Sequence, residues 1–313
     1  MATRFTITDA KRLKLKARIG LTGATNCGKT YSALLIAGGL LKAENFVLQD
    51  GTPDWSKVGF IDTERKRALF YADNGVFGSF KHLDFQPPYH PRDYIEAVEC
   101  LEQRGVEVII IDSLTHAWSG TGGVLDIVNE KAANSKSKNT YTEGWGGKNG
   151  GTAIQNEMVD RILSSKCHII ATFRQKMDYA MDKDENGKTV ITKLGLKPVQ
   201  KDDLEYEFDI TLKFNNDHTA EIIKNTVQFI QSDGTLDKIT MDFGYQLGQY
   251  LSQGVDVNTI KQAQIDNLKD NIMQLVHQNP NLKDIYKIYT TQPLSEVDDL
   301  NLLNQIFKAM KSC

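Results

Sequence analysis

The stretch Gly23-Ala24-Thr25-Asn26-Cys27-Gly28-Lys29-Thr30 follows the spacing G-x-x-x-x-G-K-[ST], and it restricts the fold more than any other part of the chain. A loop of this kind needs a strand to deliver it and a helix to receive it. Residues 13–21 alternate apolar and polar and read as the strand; residues 30–41 read as the helix. Glycines let the loop wrap closely, so that backbone N–H groups point inward at phosphate oxygens. The helix N-terminus adds its partial positive charge at the same place. Lys29 is expected to reach the β and γ phosphates of a nucleotide, and the Thr30 hydroxyl to hold Mg²⁺. The candidate nucleotide-contacting set is Gly23, Ala24, Thr25, Asn26, Cys27, Gly28, Lys29, Thr30 and Tyr31. The alternative is a glycine-rich turn that binds nothing.

The residues that follow supply the sheet such a loop requires. Residues 58–62 read as a buried strand ending in Thr63-Glu64, after a turn-rich insertion around Asp50-Gly51-Thr52-Pro53. A basic helical segment is expected at 65–72, then an apolar stretch at 80–85 that stops at Pro87-Pro88. Pro91 opens a helix with Asp93 and Glu96 in its early turns, and Gly105 closes it. Residues 106–112, Val-Glu-Val-Ile-Ile-Ile-Asp, are the strongest strand signal, and 167–172 are another buried strand. Strands alternating with helices imply parallel pairing and a doubly wound α/β sheet.

Further along, residues 130–151 are polar and then glycine-rich, too much so for a core, and read as a loop. A helix is expected from about Gln155 to Ser164. Strand-like runs flank Asp184-Glu185-Asn186-Gly187 as a β-hairpin, and a second antiparallel pair turns at Asn215-Asn216-Asp217. Beyond Gly254 the pattern is helical, with Ser295-Glu296-Val297-Asp298 resembling a capping box before the last helix. The expected division is a core at 1–242 and a small helical C-terminal domain at 243–313.

Net charge is −3 and the pI about 6.1, so no global basic field draws the chain onto nucleic acid, and any such binding needs a local patch. Cys27, Cys100, Cys167 and Cys313 show no paired spacing, against a zinc site or a disulfide framework. The first residues lack the apolar region of a signal peptide, and no run is long enough for a membrane span. The expectation is a soluble, cytoplasmic protein without a membrane partner.

Two acids complete a candidate constellation. Asp112 ends the most apolar strand, and in a parallel sheet that end faces the phosphate loop, where a carboxylate can bind Mg²⁺ directly or through water. A helix cap before Leu114 is its alternative role. Glu64 ends another strand and can polarise an attacking water, with Asp62 competing for that role and a plain surface acid as the alternative.

These three elements together resemble the core of RecA-family ATPases. That resemblance, over roughly residues 13–225, implies a RecA-like P-loop core with a mainly parallel sheet, ATP as nucleotide, Mg²⁺ as metal, and Glu64 as the catalytic acid. It gives Tyr71 the spacing of the adenine-stacking tyrosine. It also puts Thr172 where the family usually carries a glutamine sensor at a strand tip. More narrowly, residues 171–179, the hairpin after them and residues 197–209 are similar to phage-encoded RecA-like nucleotide-binding proteins that accompany single-strand annealing recombination. Such ATPases act as rings or filaments, so the resemblance implies a homo-oligomer in which a cation reaches the neighbour's γ-phosphate. Arg174 is the first candidate, with Lys176 and Lys224 beside it; the alternative is that all three solvate strand ends. The resemblance also places a DNA-contacting loop at 130–151, where Lys131, Lys136, Lys138 and Lys148 accompany Tyr141 and Trp145. Single-stranded DNA is the implied partner, with an annealing protein or single-strand-binding protein as a further one. Two rival functions stand beside this: a small-molecule or nucleoside kinase, and a nucleotide-gated assembly protein with little turnover.

Overall fold

The structure is a computed structural model that describes residues 10–135, 140–183, 189–198, 200, 204–227, 229–230 and 234–312; at 140–141, 176–183, 189–198, 205 and 257 it describes the backbone alone. It divides into two compact units, Lys16–Ser252 and Gln253–Cys313 with Met1–Leu15.

The first unit is built in the order β1 (Arg18–Gly23), α1 (Lys29–Ala43), β2 (Val58–Asp62), β3 (Lys81–Asp84), α2 (Pro91–Gln103) and β4 (Val108–Asp112). There follow α3 (Thr115–Ser119), α4 (Val124–Asn134), α5 (Thr140–Trp145), α6 (Gly151–Leu163), β5 (His168–Lys183) and β6 (Thr189–Pro198). The unit ends with β7 (Ile210–Phe214), β8 (Ala220–Asn225), β9 (Thr235–Leu236) and α7 (Met241–Ser252). The sheet runs β3-β2-β4-β5-β1-β7-β8-β9, and β6 pairs with β5 off this path. From β3 across to β7 every neighbouring pair is parallel; β7–β8, β8–β9 and β5–β6 are antiparallel.

Both faces of this sheet are covered, and the pleat sorts the side chains between them. On β4, Val108 and Ile110 join the core that holds α1, while Ile109 and Ile111 join the core under α2 and α6. Phe60 and Ile61 of β2 part in the same way. Buried on both sides, these strands are continuous apolar runs rather than alternating ones. Helix α1 is itself apolar nearly all round and meets α7 through glycines. A Cβ on Gly39 would stand 2.1 Å from the Met241 carbonyl oxygen, and one on Gly244 would stand 2.2 Å from that of Ile36.

Several local expectations change. The first strand begins at Arg18 and runs into Gly23, because Leu13 pairs instead with Val255 in the second unit. Residues 65–72 are not a helix: Arg65 and Lys66 take positive φ and a single 3₁₀ turn covers Arg67–Phe70. The segment 130–151 is not one loop, since α4 reaches Asn134, α5 spans Thr140–Trp145 and α6 starts at Gly151. The two antiparallel pairs are present as β5–β6 and β7–β8. The turn at 184–188 lies outside the described residues, as do Lys136 and Lys138 and the side chains of Tyr141 and Lys176. Helix α7, expected with the C-terminal part from 243, packs on α1 in the first unit.

The second unit holds α8 (Val257–Gln278), α9 (Leu282–Tyr289) and α10 (Leu300–Lys311) around Ile265, Ile272, Leu282, Val297, Leu303, Ile306 and Met310. Its last helix is capped by Asp299, which accepts the N–H groups of Asn301 and Leu302, so the expected capping box at Ser295 is not used. Among the described residues no helix is long and apolar enough to cross a membrane.

Candidate active site

Because β1, β2 and β4 are parallel, the residues that follow each of them emerge at one edge of the sheet. Strand β5 lies between β1 and β4, with Gly23 opposite Arg174 and Ile111 opposite Ala171. The loop Gly23–Gly28 turns sharply between β1 and α1. Gly28 has φ 95° and carries the left-handed turn at the start of the helix, a conformation that suits glycine.

The loop residues divide by position. Thr25, Asn26, Gly28, Lys29, Thr30 and Tyr31 line a cavity of about 670 Å³. Gly23, Ala24 and Cys27 lie beneath it: the Lys29 ammonium donates to the carbonyls of Gly23 (3.0 Å) and Ala24 (2.6 Å), and the buried Cys27 thiol to that of Ala24 (2.9 Å).

Asp112 is the hub on the next side. Its carboxylate accepts Thr30 Oγ1 on one oxygen and Thr172 Oγ1 on the other, each at 2.5 Å. It therefore faces the loop and does not cap the helix that follows. Burial raises its pKa, while the bonds from Thr172 and Thr30 work against that rise. Thr172 differs from its expected place. The strand β5 continues past it to Lys183, so it is not at a tip, and it is fully buried behind Asp112 rather than lining the cavity.

Glu64 does line the cavity, and Asp62 does not. One Glu64 oxygen accepts the Ser113 hydroxyl at 3.2 Å and the other is ion-paired with Arg174. Asp62 is buried and fully engaged in the turn after β2. It accepts the N–H groups of Glu64 (2.7 Å) and Ala68 (3.1 Å) and meets His82 Nε2 at 3.0 Å. The turn is braced from behind: Thr63 Oγ1 lies 2.6 Å from His116 Nδ1 and accepts the Ser113 N–H. His116 stacks on Tyr89 at 4.7 Å, and burial lowers its pKa. Asp62 thus builds the turn that presents Glu64.

Tyr71 reaches the cavity wall and packs edge-on against Tyr31, with ring centroids 5.9 Å apart. Phe70 stands at the same wall, 83% exposed. Arg174 also lines the cavity, whereas Lys224 does not; its ammonium bonds the Tyr206 carbonyl. Arg67, His218 and Lys238 add cationic and polar groups to the lining, beside Ser32 and Ile239, and no sequence signal singles them out. His218, on the turn between β7 and β8, covers the loop so closely that a Cβ on Gly28 would meet its Nδ1 at 2.9 Å. No motif marks these three; the basic run at 65–67 is the one signal that pointed near them.

No described residue of the expected DNA-contacting segment lines this cavity. Lys148 is exposed and Lys131 half-buried. Trp145 is half-buried, packing on Trp118 with centroids 5.7 Å apart and lying against Gly151.

Thus a phosphate loop, a loop threonine bonded to a strand-end aspartate, and a second acid across the cavity come together in one unit. Comparison with curated proteins gives no match. A family model described as the AAA domain matches residues 15–241, which includes every residue of this cavity. That domain carries nucleotide binding and ATPase activity, and it spans well over half of the 313 residues. The chain belongs to the AAA-domain family of P-loop ATPases.

Proposed function

We propose that this chain is a RecA-like ATPase that hydrolyses ATP with Mg²⁺ and acts on single-stranded DNA, in phage recombination or replication. The observation that carries the ATPase reading is the convergence of Thr30, Asp112 and Glu64, from three separate segments, on one cavity. The donors fit the metal: a hydroxyl and a buried carboxylate are both hard oxygens, and the hydrogen bond between them holds them side by side for a small dication that keeps several of its waters. Mg²⁺ held there by Thr30 and Asp112 would offset the charge of the β and γ phosphates.

The chain's own groups divide the remaining work. Backbone N–H groups of residues 25–30 and the N-terminus of α1 receive the phosphates. Lys29 exchanges its two loop carbonyls for phosphate oxygens. Tyr71, with Tyr31, offers a ring face to adenine. Glu64 orients the attacking water and takes its proton, and Ser113 keeps that carboxylate turned to the cavity. Arg174 supplies positive charge as the terminal phosphate leaves. It is close enough to serve the cavity of its own chain, so this reading assigns it there rather than to a neighbour.

Exposed Phe70 at the cavity wall supports a homo-oligomer, ring or filament, in which another copy covers it. Exposed Lys148 and the Trp118–Trp145 pair support the DNA reading, and an annealing or single-strand-binding protein is the further partner. The helical unit from 253 onward is proposed as a separate small domain. One observation favours the rival of a nucleotide-gated assembly protein: the Arg174–Glu64 ion pair occupies the acid that hydrolysis needs.

The test measures ATP turnover with and without chelation of Mg²⁺, with and without single-stranded DNA at low salt, and with small phosphate acceptors. Mg²⁺-dependent turnover that DNA accelerates supports the reading. Phosphate passing to an acceptor would make the chain a kinase, and tight binding without turnover would make it an assembly switch. Equal turnover with and without DNA would remove the DNA role.

A further inference from the structure

The helical unit carries a feature that the ATPase chemistry does not use. Between α8, α9 and the segment before Val297 lies a groove of about 780 Å³. Its floor is apolar, with Val276 and Leu294, and Met273 stands at its side 55% exposed. A volume of this size accommodates one or two bulky side chains of a ligand. The flexible thioether of methionine adapts to ligands of differing shape.

Charge is segregated around it. Residues 253–313 contain seven Asp or Glu and six Lys, so the segment as a whole is close to neutral. Yet none of the acids lines the groove, while His277, Lys283 and Lys287 all do. Asp284, which does not line the groove, meets Lys287 at 3.4 Å with its side chain 82% exposed, so Lys287 stands at the rim with a solvated counter-ion. An apolar floor beneath a cationic rim selects an occupant with the opposite arrangement: apolar side chains to bury and carboxylates to place at the rim. A nucleic acid would meet the cations but leave the floor uncovered. A lipid surface is flat where this site is concave.

We propose that the groove between α8 and α9 docks a short acidic peptide of a partner protein. Its apolar side chains enter beside Met273, and its carboxylates meet His277, Lys283 and Lys287.

The test uses the full chain and a pool of fluorescein-labelled short peptides, every residue Asp or Glu except for a pair of Leu or Phe. Fluorescence anisotropy should rise with protein, weaken as salt is added, and fall at least ~10-fold in affinity in Met273→Glu and in Lys283→Glu. Both side chains lie at the surface, and circular dichroism checks that each variant keeps its helices. A matching pool with Lys in place of the acids should not bind. The proposal is overturned if the acidic pool does not bind at all, if the lysine pool binds equally, or if Met273→Glu leaves affinity unchanged. It is also overturned if Met273→Glu lowers the oligomer mass in light scattering, which would give the groove to a second copy. Loss of binding to anionic vesicles in place of peptide binding would give it to a membrane. None of these readouts depends on ATP hydrolysis, so failure here leaves the ATPase reading untouched.

Discussion

Replacing Glu64 by Gln tests the chemistry of the cavity most directly. The side chain keeps its size, and its remaining oxygen can still accept the Ser113 hydroxyl, now at 3.2 Å. On the other side an amide NH₂ would face the Arg174 guanidinium, donor against donor, so that ion pair is lost. What disappears is the negative charge and the basicity that take a proton from water. Loss of a general base lowers turnover by roughly 10²-fold or more. That factor corresponds to about 2.7 kcal/mol on the barrier. Nucleotide affinity should stay equal or tighten, because a carboxylate is removed from a cavity that receives phosphates while Lys29, Thr30 and Asp112 are untouched. The assay is single-turnover ATP hydrolysis beside a fluorescent-nucleotide titration, with Lys29→Ala and Asp62→Asn in parallel. Lys29→Ala should weaken binding itself. Asp62→Asn should lower stability, since that carboxylate holds the turn through the N–H groups of Glu64 and Ala68. Hydrolysis by Glu64→Gln within about 3-fold of the parent would refute the assignment, because a general base contributes far more than that.

Arg174→Ala should lose turnover while keeping ATP affinity, as expected for a group that acts in the transition state. Since Arg174 lines the cavity of its own chain, mixing this variant with Lys29→Ala should not restore activity; recovery on mixing would show action between subunits. Gly39→Ala should destabilise the protein by about 2 kcal/mol in urea titrations, because overpacking against the α7 backbone outweighs the helix propensity gained. A rise in stability would mean the two helices are not in such close contact. The Glu44 carboxyl is pushed up by burial, but the His168 ring, its Nε2 3.3 Å away, and then Lys16, 2.6 Å away, hold it down from 4.5 to about 2. A folded-state value below the unfolded one gives stability that is present above about pH 4.5 and lost as pH falls toward 2. The stability gap between parent and Glu44→Gln should therefore shrink in acid. A gap independent of pH between 7 and 3 would contradict this.

The phosphate loop, the strands that lead to Glu64 and Asp112, their parallel arrangement and the two antiparallel pairs were legible from the residues alone. Each of these is written locally: a glycine spacing, an unbroken apolar run, a turn between two extended segments. The helical character of residues 257–311 was legible for the same reason, from its period. Which side chains share the cavity depends on strand order and long-range packing instead. Asp62 competed with Glu64, the first candidate, until the turn after β2 buried Asp62 and presented Glu64. Thr172 matched a strand tip only if β5 ended there, and it does not. Arg174 meets Glu64 because β5 pairs with β1 on one side and β4 on the other, a register no local pattern encodes. His218 and Lys238 arrive from turns far along the chain. Helix α7 belongs with α1 because paired glycines let two backbones touch. Local propensity acts through neighbours in sequence, whereas a cavity is assembled by strand order and close packing, which join residues a hundred or more positions apart.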